Sequence, residues 1–111
     1  MAILRLQSIT CHGQAETFTD ELYVTFNGVK RSLPNMTKGD TKQLGDEFVF
    51  DGERQLSLFE NDGDHWYDRD DFIAKHTIAA TPTEATLDFI ASGGNADGAN
   101  YSLSLSVTPG P

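Results

Sequence analysis

Hydrophobic and polar positions alternate along most of this chain, with the period of two that marks β-strands rather than helices. The clearest case is the run from Tyr101 to Val107. Tyr101, Leu103, Leu105 and Val107 take one side there, and Ser102, Ser104 and Ser106 take the other. Leu22, Val24 and Phe26 alternate with Tyr23 and Thr25 in the same way. Residues 2–10 open the chain as a strand, with Leu4 and Leu6 on one side and Ile3, Arg5 and Ile9 on the other. Shorter runs at 29–33, 47–50, 55–59, 72–78 and 85–89 bring the predicted strands to eight. Asn27-Gly28 is a strong two-residue hairpin signal and Asp51-Gly52 a second tight turn. Pro34 and the Thr81-Pro82-Thr83 turn end two further strands. Residues 34–45 read as a loop anchored inward by Met36 and Leu44.

No stretch carries a helical period and no segment repeats. Short strands separated by turn residues predict an all-β fold: a single antiparallel eight-stranded β-sandwich over residues 1–111. If successive strands reverse direction, their connections alternate between the two ends of the sandwich. Loops 11–20, 34–45, 60–71 and 91–99 then share one end, and the tight turns share the other. Long loops carried together on a rigid scaffold are the usual place for a binding site.

Composition sharpens that expectation at one loop. The stretch Glu60-Asn-Asp-Gly-Asp-His-Trp-Tyr-Asp-Arg-Asp-Asp71 holds Glu60, Asp62, Asp64, Asp68, Asp70 and Asp71, with Arg69 as its only fixed positive charge. Carboxylates this dense repel one another in a compact structure unless a cation neutralises them. All-oxygen ligands in a loop pinned between strands suit a hard divalent ion, calcium above all. The plain alternative is a solvated acidic loop. Glu16, Asp20, Glu21, Asp40 and Asp97 (or Asn95) lie on the neighbouring loops and could complete a coordination shell.

Two segments resemble the C2 domain, a calcium-binding β-sandwich of lipid-signalling proteins. Asp20-Glu-Leu-Tyr-Val24 is similar to the Asp-Pro-Tyr-Val motif that opens the strand after the first calcium loop. Leu58-Phe-Glu-Asn-Asp62, with Asp71-Phe-Ile-Ala74 after it, is similar to the third-loop pattern of paired acids and a later Asp before Phe-Ile-Gly. The resemblance implies Asp20 as a first-loop ligand and Glu60, Asp62 and Asp71 as third-loop ligands. Glu60 stands where the family has Asp, and Ala74 where it has Gly. The basic patch of many lipid-binding members is missing from this composition. An EF-hand frame also fits the acids, at positions 1, 3, 5, 9 and 12, but puts His65 where that loop needs Gly and has strands for flanks.

Other features narrow the partners. A formal net charge of −9 argues against nucleic acid and against simple attraction to anionic lipid. Trp66 and Tyr67, at the tip of the acidic loop, read either as a contact for a membrane surface, a carbohydrate or a protein, or as a local cap on the sandwich. The lone cysteine, Cys11, allows no internal disulfide. No run is long and apolar enough to span a membrane, and the N-terminus lacks the pattern of a signal peptide, so a soluble protein is expected. Histidines lack metal spacing and the serines lack a nucleophile elbow. The sequence therefore predicts a non-enzymatic calcium-binding module. Calcium-dependent membrane or carbohydrate recognition, and calcium-independent assembly with a basic partner, are the alternatives.

Overall fold

The computed structural model describes residues 1–15, 21–61 and 71–110. Among them nine strands form two antiparallel sheets: β1 Ala2–Gly13, β2 Leu22–Phe26, β3 Val29–Ser32, β4 Thr41–Gln43, β5 Glu47–Phe50, β6 Glu53–Glu60, β7 Asp71–Ala79, β8 Thr83–Ile90 and β9 Asn100–Pro109. One sheet runs β4-β1-β9-β8, with β5 also paired to β1; the other runs β3-β2-β6-β7. The inward positions of both sheets close on one core, in which Leu4, Leu6, Ile9, Val24, Leu56, Leu58, Phe89, Tyr101 and Leu103 are fully buried.

Two departures from the predicted pattern share one cause. Register in β1 slips between Leu6 and Ser8, so Gln7 is an extra, bulged residue. A bulge reverses which side chains face inward beyond it. Ile9 and Cys11 therefore join Leu4 and Leu6 in the core, although simple alternation put Ile9 on the opposite side. The partner edge breaks at the same place. β5 pairs with β1 before the bulge and β4 after it, while Leu6 N donates to Asp46 O and Leu44 N to Gln7 O across the break. β4 is thus the ninth strand, in a stretch read as loop. All three of its residues are exposed, so no hydrophobic alternation announces it.

The far end holds the tight turns. Asn27 and Gly28 have φ of 51° and 78°, the pair of positive values that a type I′ turn requires. Phe26 reaches from β2 across the core to β5, meeting Phe48 and Phe50 edge-on at centroid distances of 5.5 and 4.9 Å. Along the open side, where β7 and β8 face each other, the sheets leave an apolar cavity of about 200 Å³. Ile78, Ala79, Ala85, Leu87, Leu105 and Val107 line it with two threonines. Ala85→Val adds two methyl groups at a half-buried strand position facing this space, so it is expected to stabilise by about 0.5–1.5 kcal/mol, read as a higher urea midpoint with unchanged slope.

Candidate metal centre at the loop end

β6 ends where the acidic loop begins, and its last residue carries the candidate ligand that is best defined. Glu60 lies on the same face of β6 as Leu56 and Leu58, and is only 1% exposed. A carboxylate at a strand end so close to the core is expensive unless charge or hydrogen bonds compensate it. Its backbone pairs with Leu22 of β2 on one side and Asp71 of β7 on the other. Directly opposed residues of antiparallel strands hold their Cβ atoms about 4.5–5.5 Å apart on the same face. The side chains of Glu60 and half-buried Asp71 therefore start as neighbours, at the two roots of one loop.

The first long loop is drawn to the same place. Asn61 N donates to Glu21 O at 2.6 Å, which joins the start of the third acidic loop to the end of the first. The glycine-rich loop arrives from the other sheet: its 3-10 turn Gly94–Ala96 packs against β7 and buries Ala96, leaving Asp97 exposed just beyond it. That loop also presses on the end of β1. A Cβ on Gly13 would lie 2.7 Å from the Gly98 carbonyl, a contact no side chain can make, so glycine is required there by space. Residues 34–40 close the remaining side through Lys38 N to Gln14 Oε1 and Gly39 N to Cys11 O. The described ends of the long connections do lie at one end of the sandwich, as strand parity anticipated.

The predicted ligands fare differently within this cluster. Glu60 and Asp71 are brought together. Glu21 is exposed, and its carbonyl is used in the link to Asn61. Asp40 spends its carboxylate on its own turn: Oδ2 accepts from Thr37 N at 3.1 Å, while Asp40 N donates to Thr37 O. Glu16, Asp20, Asp62, Asp64, Asp68 and Asp70, and the aromatic pair Trp66 and Tyr67, lie outside the described residues. Among the described residues alone, no group of three or more His, Cys, Asp or Glu side chains is placed to hold a metal. Glu60 and Asp71 are hard oxygen donors at the mouth of the core, of the kind that fits a hard divalent ion.

Two outward-facing groupings escaped the sequence pattern. Phe72 (49% exposed), Phe59 and Tyr23 stand in register across β7, β6 and β2. Tyr23 and Phe59 stack at 5.0 Å, Phe72 meets Phe59 edge-on at 5.6 Å, and Lys30 covers the Tyr23 ring at 4.1 Å. Reading the polar-side residues of each strand together would have found this row. On the other sheet, His12 Nε2 lies 2.7 Å from Ser102 Oγ, and Ser102 Oγ donates to Asp88 Oδ1 at 2.9 Å. The serine stands in the middle, with its one proton committed to Asp88, so His12 Nε2 must be the donor. That order is the reverse of a nucleophile activated by a histidine base.

No family model and no curated protein matches the chain. Solved structures do. A structure described only as that of a C2 domain superposes with a TM-score of 0.62 at 13% identity, over 98% of this chain and 100% of that one. The fold is that of a C2 domain. The C2A domain of plant extended synaptotagmin 1 matches this C2-like chain with a TM-score of 0.56 at 9% identity, over 99% of this chain and 95% of that one. Human GIVD cytosolic phospholipase A2 gives 0.55 at 12% identity, over 96% of this chain but 14% of that much longer one. At such identities the likeness is one of backbone, and the C2-like sandwich shares its architecture with these proteins. Among the described residues, no helix is long and apolar enough to cross a membrane.

Proposed function

We propose that this C2-like domain is a non-enzymatic calcium-binding module whose loop end holds the ion. The observation that carries the reading is the buried Glu60 carboxylate, held in register opposite Asp71 at the point where the first and third acidic loops are tied together. Glu60 and Asp71 would hold the ion with Asp20 and Asp62. Asp64, Asp68 and Asp70 are further donors within the loop, and Glu16, Glu21 and Asp97 lie on its neighbours. Bound calcium supplies positive charge that offsets the crowded carboxylates. The strands β2, β6 and β7 contribute the rest: they fix the roots of the ligand loops, so binding favours the folded chain over an unfolded one that cannot gather these residues. A C2 fold is commonly a calcium-dependent membrane-binding module. Trp66 and Tyr67 fall midway along the sequence of the proposed ligand loop, where they would meet a membrane surface, a carbohydrate or a protein once the loop is set.

Thermal unfolding with calcium, with magnesium and with excess chelator tests this. A calcium-selective rise in melting temperature, lost in Asp62→Asn and Asp71→Asn, is the expected result. An unchanged melting temperature at millimolar calcium would leave the acidic loop as solvated surface or a docking patch for a basic partner, and would sink the metal reading.

A further inference from the structure

The tight-turn end carries covalent chemistry of its own. Asn27-Gly28 is the single Asn-Gly pair in the chain. With no side chain to shield it, the Gly28 nitrogen can attack the side-chain amide carbon of Asn27. The Gly28 N–Cγ bond forms, the Cγ–Nδ2 bond breaks, and ammonia leaves carrying the Gly28 proton. Water then opens the resulting five-membered imide to aspartate or isoaspartate, so the net change is amide plus water to acid plus ammonia.

The attack needs a particular geometry, and the fold holds the side chain by both ends. Asn27 Nδ2 donates to the Val49 carbonyl of β5 at 3.1 Å, and Arg54 Nε of β6 donates to Asn27 Oδ1 at 2.9 Å. Arg54 is itself fixed by Nη1 donating to Glu53 O at 3.0 Å. One amide thus ties the β2–β3 turn to the next strand of its own sheet and to the opposite sheet. Ring closure expels Nδ2, so the bond to Val49 must be lost, and it draws Cγ onto the backbone nitrogen against the Arg54 bond that holds Oδ1. Arg54 pulls in two directions, because it also polarises the carbonyl under attack. Anchoring is expected to outweigh polarisation, and Arg54→Ala reads the sign.

We propose that Asn27 is a latent deamidation site, kept unreacted by the Arg54–Asn27–Val49 clamp. Reaction destroys the clamp from within. A carboxylate oxygen replaces the donor that faced the Val49 carbonyl, and isoaspartate lengthens the backbone of a two-residue turn. The product therefore loses the hydrogen bond that ties this turn to the opposite sheet, and the isoaspartate form loses the turn geometry as well.

Peptide mapping by mass after incubation at mildly alkaline pH tests the proposal on the full chain, folded and in urea. Conversion at Asn27 is expected to be slower in the folded chain, and Arg54→Ala is expected to speed the folded-state reaction about tenfold, the scale of one charge-assisted hydrogen bond lost from the closed state. Leu103→Ala separates the clamp from general stability, because it weakens the core while leaving Asn27, Val49 and Arg54 in place. It should convert at the slow rate under conditions where it remains folded. Equal rates in folded and unfolded chain, or equal acceleration by Leu103→Ala and Arg54→Ala, would overturn the clamp.

Discussion

Truncation of Phe26 to alanine is expected to lower the unfolding free energy by about 3–5 kcal/mol, the cost of removing a large buried aromatic whose site cannot collapse. Phe26 is 1% exposed and is the side chain through which β2 reaches the opposing sheet. Its ring is gripped edge-on by Phe48 and Phe50, so its loss also forfeits two aromatic contacts worth about 0.5–1.5 kcal/mol each beyond area. Against a typical total of about 5–15 kcal/mol, this is a large share of the stability. Phe26→Leu, which keeps most of the volume, should cost much less. Urea unfolding followed by tyrosine and tryptophan emission measures both. A loss under 1 kcal/mol for the alanine variant would mean that the aromatic cluster does not join the sheets.

The second large effect lies at the other end. At calcium a hundredfold above its dissociation constant, mass action is expected to stabilise the chain by about 2.7 kcal/mol. Glu60→Gln keeps the shape of the side chain and removes its charge, so most of that increment should vanish. Glu60→Asp should retain it, since the C2 motif itself places aspartate at this position. The paired variants separate ligation from packing. If Glu60 only filled space, both variants would preserve the calcium response, and the shorter Asp would lower stability equally with calcium and with chelator. Differential scanning calorimetry with calcium and with chelator reads the parent chain and both variants.

Much of this architecture was legible because its strands obey one rule. β2 and β9 alternate in sequence, so their inward residues could be named from periodicity, although Tyr23 and Ser106 are buried as well, and reversal of direction at each turn placed all the long loops together. What escaped was backbone pairing without side-chain signal. Gln7 bulges, which flips Ile9 inward, and Thr41–Gln43 pairs through its backbone while exposing every side chain. At the site, acidic density pointed to the loop end but could not rank its members. Burial of Glu60 follows from its parity with Leu56 and Leu58, a fact that a count of acids ignores. Asp40 shows the converse: a carboxylate on the right loop whose oxygen already closes a turn.

The chain's two ends meet at the pole opposite the acidic loops. The Met1 ammonium pairs with Asp51 at 2.9 Å, and Gly110 N donates to Met1 O at 3.0 Å. β1 starts there and runs twelve residues, about 40 Å at strand spacing, along a molecule whose longest extent is 42 Å. A dye, bead or surface linked through either terminus would thus be held nearly a full molecular length from the loop end. Immobilised sensors built this way present the loop end outward, away from the handle.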